Sequence, residues 1–424
     1  MRFGVNYTPS AGWFHSWLDF SAEAARRDLE GVASLGVDHV RVFPLWGVVQ
    51  PNRGIIRRAA LDDVGALIDV AGEFGLDVNV DAIQGHLSSF DFLPAWLATW
   101  HRRNMFTDPD VLEGEEQYVR ALGALLASRP NVVGLTLGNE LNQFAAAPHP
   151  DPHPVTAPQA HAWLERMTAA ARETASGLIT HSMYDAAWYD DTQPFGPAHA
   201  AEHGDATIVH SWVFNGAAQR YGALAPGSVR HAEYLLQLAA AWNLHATRPV
   251  WLQEVGAPTN VVPVADAPDF LEATMRHAAR VQHLWGITWW CSHDVSRGLA
   301  DFPELEYDLG LIANDGTLKP TGRRFARVVA ELRAAAAASS GGAGNAAAPE
   351  SAALVLDDTA DGYRVSCAPG GDFYEAWLRA AGTGADGSGP QVVLASRAGD
   401  EASLAARGIT RLLAARDPDV APAA

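Results

Sequence analysis

The chain alternates short β-rich runs with longer stretches whose apolar residues recur at helical spacing. Eight runs read as strands, at 3–6, 38–43, 77–82, 132–138, 178–182, 207–212, 249–254 and 286–291. Between them, 21–35, 61–74, 115–127, 157–175, 229–242 and 270–284 read as amphipathic helices. Ser21 with Glu23, and Asp62-Asp63, are helix-start signals. Leu35-Gly36 and Phe74-Gly75 are stop signals, with glycine just past the last helical turn. Strands that alternate with helices form parallel βαβ units, and eight such units close into a (β/α)8 TIM barrel. An open doubly wound sheet is the alternative. It would carry a glycine-rich phosphate turn after its first strand, where this chain has Asn6-Tyr7-Thr8-Pro9.

A final helix from Pro320 to about Arg333 completes the barrel, which takes residues 1–333. Residues 334–350 are Ala/Gly/Ser-rich and read as a linker, although their alanine run can extend the helix. Residues 351–424 are expected to form a small β-rich unit, with strands at 353–356, 363–367 and 392–395, or a tail.

Composition narrows the function. Of 424 residues, 48% are hydrophobic, enough for a large core, and the formal net charge is -19. Such a chain repels phosphate backbones, which argues against nucleic acid and anionic membrane as partners. Cys291 and Cys367, the two cysteines, make no disulfide framework and no zinc spacing, so no metal or cofactor is expected. No apolar stretch approaches about 18 residues, and the N-terminus opens as a strand rather than as a basic segment before an apolar run. A cytoplasmic protein is expected. The sequence leaves the oligomeric state open.

A barrel carries its functional residues at the C-terminal ends of its strands. There the chain has Arg41, His86, Asn139, Glu140, His210, Trp212, Glu254, Trp289 and Trp290. Glu140 and Glu254 each close a largely apolar run, and an ionised Glu is rarely put there without a task. The bland reading is a structural salt bridge with Arg41. Two carboxyls are what glycoside hydrolysis needs, one to protonate the leaving oxygen and one to meet the anomeric carbon. Asn139 can bind the sugar 2-hydroxyl, and Arg41 can hold Glu254 ionised. Several of the 14 tryptophans, Trp46, Trp212, Trp289 and Trp290 among them, sit near strand ends. Flat aromatic faces pack on pyranose rings, although any one Trp can equally be core.

At these residues the sequence resembles glycoside hydrolase family 5. The matching pieces are Val40-Arg41-Val42-Phe43, Leu137-Gly138-Asn139-Glu140, His210-Ser211-Trp212, Trp251-Leu252-Gln253-Glu254-Val255-Gly256 and Thr288-Trp289-Trp290. The resemblance spans about residues 1–325. It implies a retaining β-glycosidase with Glu140 as acid/base and Glu254 as nucleophile, and with Arg41, Asn139, His210 and Trp290 around the sugar. One departure stands out. The family usually has His-x-Tyr on strand six, the Tyr touching the nucleophile, where this chain has His210-Ser211-Trp212. The run Trp289-Trp290-Cys291-Ser292-His293-Asp294 is similar to bacterial members that act on β-mannosides, some on mannosyl-β-1,4-N-acetylglucosamine. An exo-acting β-mannosidase on short oligosaccharides is therefore the expectation, with the acid/base pKa above that of the nucleophile. The rivals are an endo-β-1,4-mannanase or glucanase, a non-catalytic sugar-binding barrel, and a metal-dependent hydrolase using His86, His210 and Asp294.

Overall fold

A computed structural model describes residues 1–84, 86–100, 102–340, 351–382 and 387–415. Eight parallel strands form one sheet: β1 Arg2–Asn6, β2 His39–Val42, β3 Asp77–Ile83, β4 Val132–Gly138, β5 Leu178–Thr180, β6 Thr207–Ser211, β7 Val250–Val255 and β8 Leu284–Trp289. Their hydrogen-bonded order is β5-β4-β3-β2-β1-β8-β7-β6. The two ends of that order, β5 and β6, are consecutive in the chain, so the sheet curls into a nearly closed barrel. At the remaining seam the Asp205 backbone N–H donates to Ile179 O at 2.8 Å.

Helices cover the outside: α1 Ala22–Ser34, α2 Arg58–Glu73, α3 Pro109–Leu126, α4 Ala157–Arg172, α5 Pro197–Glu202, α6 His231–Trp242, α7 Ala267–Ala278 and α8 Pro320–Ser340. Ser21 caps α1, as its sequence signals, by accepting from Ala24 N at 3.2 Å. α3 begins six residues before its apolar periodicity shows, because Asp108 caps it and Pro109 opens it. α8 absorbs the alanine run to Ser340; residues 341–350 of the expected linker lie outside the described residues.

Inward side chains fill the barrel in layers. At the bottom, the Thr288 hydroxyl is shared by His39 Nε2 (2.9 Å) and the Trp251 indole N–H (2.8 Å). Gly4 makes room there, since a Cβ on it would lie 2.3 Å from His39 Nε2. In the middle, Thr136 bonds Asn79 and Thr180, and receives a bond from Gln253 at 3.1 Å. The buried charged residues Arg41, Asp81, Glu140 and Glu254 come at the top, whereas the Arg2–Asp77 ion pair at the bottom is part-exposed.

Beyond residue 350 three further strands, β9 Ser351–Leu356, β10 Gln391–Leu394 and β11 Ile409–Ala414, form a parallel sheet in the order β10-β9-β11. Parallel strands need crossovers, which bring helices with them: α9 Tyr363–Cys367 and α10 Asp372–Gly382. The strand expected at 363–367 is thus a helical turn. Tyr363 and Cys367, four apart, then share a face: Tyr363 stacks on Trp242, and Cys367 is buried. The unit packs on α6, which is buried nearly all round because it lies between two sheets. Tyr234 OH donates to Cys367 O (2.9 Å), Arg230 donates to Ala381 O and Gly387 O, and Gly389 N–H donates to Glu233.

Candidate active site

Arg41, near the end of β2, organises the top layer. All five of its N–H groups are engaged. Nε and Nη2 grip Asp81, Nη2 also reaches Asn139 Oδ1 (2.7 Å), and Nη1 reaches Glu254 Oε1 (2.6 Å) and Asn6 Oδ1 (3.2 Å). The guanidinium is fully buried, so each carboxylate it holds is fixed in direction. The bland reading, in which the glutamates are a salt bridge to Arg41, covers half the case: Glu254 pairs with it and Glu140 does not.

Two departures from regular strand geometry aim the glutamates. Successive residues of a strand point to opposite faces. Yet Gln253 reaches Thr136 and Glu254 reaches Arg41, both inside the barrel. The β6–β7 ladder slips between the pairs Val209–Leu252 and His210–Glu254, and that irregularity turns both side chains inward. Glu140 follows β4 in the left-handed region, at φ 47° and ψ 41°, which costs about 1–2 kcal/mol. Its N–H is received by Ser182 Oγ at 3.2 Å.

His210 stands between the carboxyls. Its Nδ1 is 2.8 Å from Glu140 Oε1 and 3.4 Å from Glu254 Oε2. One oxygen of each glutamate and a ring nitrogen of His210 all lie within 4.8 Å of one another. Glu140 Oε2 accepts from the Gln143 amide. The Trp212 indole N–H donates to Glu254 Oε2 at 3.3 Å, so the Trp that replaces the usual Tyr still touches this carboxylate.

These contacts set the charges. Burial alone would raise the Glu140 carboxyl, but the hydrogen bond and charge of His210, with His86 and Gln143, carry it below its usual range. Burial raises Glu254, and His210 and Arg41 pull it down without offsetting that. These directions are opposite to the ordering expected from the sequence, because the imidazole sits closer to Glu140 than to Glu254. Burial pulls His210 down, and the charges of Glu254 and Glu140 carry it above its ordinary value.

A cavity of about 230 Å³ opens over the carboxyls, lined among others by His86, Asn139, Glu140, Tyr184, Trp212, Glu254, Trp290 and Glu306. Trp290 packs edge-on against Phe43 and Trp212. Arg41 and His210 lie behind the wall, touching the carboxyls rather than the cavity. Two expectations fail. Trp289 is 1% exposed and in the core, since alternation from inward Thr288 turns it to the other face. Trp46 is likewise core, bonded to Gln50. Asp294 pairs with Lys319 at 2.7 Å and does not join His86 and His210, so the metal trio does not assemble. The set with ligand spacing among the described residues is Glu140, His210 and Glu254, where Arg41 already supplies a cation.

The sequence reading missed Asp81, Gln143, Tyr184 and Glu306. Asp81 had a signal, an acid sharing the inward phase of Asn79 in an apolar strand. Glu306 had none, for it reaches the cavity from the loop after β8. It accepts from Ser88 Oγ at 2.9 Å, and burial, with Glu254 and Glu140 nearby, pushes its carboxyl up to about 7.

Comparison with solved structures decides the family. A GH5_18 from Streptomyces cattleya, in complex with GlcNAc, is 55% identical over 98% of both chains, with a TM-score of 0.92. The chain belongs to GH5_18, subfamily 18 of glycoside hydrolase family 5. A variant of the S. cattleya GH5_18 in complex with Manβ1-4GlcNAc is 54% identical over 99% of this chain and 100% of that one, with a TM-score of 0.92. A GH5_18 variant from Bifidobacterium longum subsp. longum, also in complex with Manβ1-4GlcNAc, is 42% identical over 99% and 96%, with a TM-score of 0.90. No family model matches the chain, and no curated protein does. This GH5_18 glycoside hydrolase has no helix, among the described residues, long and apolar enough to cross a membrane.

Proposed function

We propose that the protein is an exo-acting retaining β-mannosidase that cleaves Manβ1-4GlcNAc, with Glu254 as nucleophile and Glu140 as acid/base. The observation that carries this is the pair of carboxyls converging on one small cavity in a chain whose GH5_18 neighbours hold that disaccharide. Retaining enzymes keep their two carboxyls about 5–5.5 Å apart. At about 230 Å³ the cavity is below the ~300–1,000 Å³ of drug-sized pockets, which suits one sugar ring at a closed end rather than an open groove.

Glu254, aimed by Arg41 and Trp212, attacks the anomeric carbon as Glu140 protonates the leaving oxygen. The glycosyl-enzyme is then opened by water, whose proton Glu140 takes back, so the released mannose keeps the β configuration. Glu140 and His210 hold one proton across their 2.8 Å contact, and the pair acts as the acid. Asn139 spends its oxygen on Arg41 and one N–H on His86 O, which leaves its second N–H for the sugar 2-hydroxyl. Trp290 gives the ring a flat wall, and His86 and Glu306 give it polar rims. A disaccharide substrate suits a cytoplasmic enzyme meeting imported sugars, which cell fractionation checks.

The test is a screen of Manβ1-4GlcNAc, aryl β-mannoside, aryl β-glucoside and polymeric β-mannan, with the product anomer followed by NMR. β-Mannose first released from the disaccharide, with polymer little touched, is the expected result. Initial α-mannose overturns retention, and faster cleavage of polymer overturns exo action.

A further inference from the structure

One side chain of the unit beyond the barrel enters the segment that follows β5. Arg364, on α9, inserts into a ring of main-chain oxygens in the segment that follows β5. Its Nη1 lies 2.8 Å from Asp190 O, 3.2 Å from Gln193 O, and 3.5 Å from both Ala187 O and Phe195 O. Two hydrogens cannot serve four acceptors, so the guanidinium holds the ring as a charge among carbonyl dipoles as much as by hydrogen bonds. Asp191 adds an ion pair to Nε at 3.8 Å and accepts from Val365 N. Gly196 leaves the space: a Cβ there would sit 2.9 Å from Nη2. Tyr363 and Cys367 fix α9 against α6, so Arg364 is carried by a docked element rather than a loose one.

The segment that Arg364 holds is tied in turn to the acid. Tyr184 N–H donates to Asn142 Oδ1 at 2.7 Å, and Asn142 Nδ2 donates back to Tyr184 O at 3.2 Å. Gln193 Nε2 donates to Ala147 O at 3.3 Å. Asn142 is two residues from Glu140, and its neighbour Gln143 donates to the Glu140 carboxyl. From these links we infer that Arg364 is a positioning residue for Glu140. It holds the segment after β5 against the turn that follows β4, and so sets where the acid sits over the leaving oxygen. The inference rests on the assignment of Glu140 as acid.

The experiment compares two substrates in the full-length chain. A misplaced acid matters most where the leaving group needs a proton. Arg364→Ala is expected to lower kcat/KM about tenfold on Manβ1-4GlcNAc and no more than about twofold on dinitrophenyl β-mannoside. A merely structural role would reduce the folded fraction and lower both equally. Millimolar guanidinium is expected to restore part of the lost activity on the disaccharide. Where Arg364→Ala does not fold by near-UV circular dichroism, Arg364→Lys, whose ammonium keeps the charge without the fork, is read the same way. Glu140→Ala, run alongside, should show the same bias more strongly. Equal losses on both substrates for the Arg364 variant, or none, with a biased Glu140→Ala overturn the positioning role alone. An unbiased Glu140→Ala overturns the acid assignment and the inference with it.

Discussion

The two ends of the barrel interior are built from the same inward positions and behave differently. At the bottom, Thr288 joins His39 and Trp251 in neutral hydrogen bonds, burial and the Arg2 charge pull the imidazole down to about 3, and the Arg2–Asp77 ion pair beside them is part-exposed rather than buried. At the top, Arg41, Asp81, Glu254, His210 and Glu140 crowd charges into an equally buried layer. Both layers are bonded, and the upper one opens on a cavity. Polar groups at the bottom serve packing. Those at the top accept a desolvation penalty that burial of bonded neutral groups would avoid, which is the mark of a working site.

Substitutions at the two ends should separate these roles. The largest effect is expected from Glu254→Ala, a loss beyond about a thousandfold on every substrate, because no other group forms the glycosyl bond. Residual activity within tenfold of wild type would remove the nucleophile assignment. Glu140→Ala should cost about 10²–10⁴-fold on Manβ1-4GlcNAc and much less on dinitrophenyl β-mannoside. Next comes His210→Asn. His210 is raised, so its proton is present at low pH and lost as pH climbs through the shifted value; the same holds for the stability it lends. The rate should therefore fall on the alkaline side, and in His210→Asn that limb should move toward acid by about one unit. An unmoved limb would mean that the proton is not shared with His210. Trp212→Phe, which deletes one N–H donor to Glu254, should cost about tenfold in kcat. At the bottom, Thr288→Val should leave kcat/KM unchanged and lower stability by about 1–3 kcal/mol, read by denaturant unfolding. A loss of activity in that folded variant would break the contrast between the two ends.

The strands were readable because parallel strands between helices are apolar runs of the right length. Glu140 and Glu254 were readable because a carboxylate closing such a run breaks the pattern. Trp289 was misjudged because adjacent tryptophans at a strand end look alike until alternation assigns each to a face. Which of Gln253 and Glu254 points inward could not be read either, since the slip in the β6–β7 ladder reverses the normal phase. The helical turn at 363–367 and the strand Ile409–Ala414 carry patterns too short or too exposed to choose an element. Their form comes from contacts with α6 and β9. Glu306 depends on a loop path that local spacing does not encode.

The indole on β6 has one more consequence. A phenol at that place would shed its proton near pH 10, and its oxygen could both give and take a hydrogen bond. The Trp212 nitrogen only gives, and it holds its hydrogen across the whole working range. This one partner of the Glu254 carboxylate is thus silent to alkali. Any decline of the enzyme in base must be traced to other protons in the molecule.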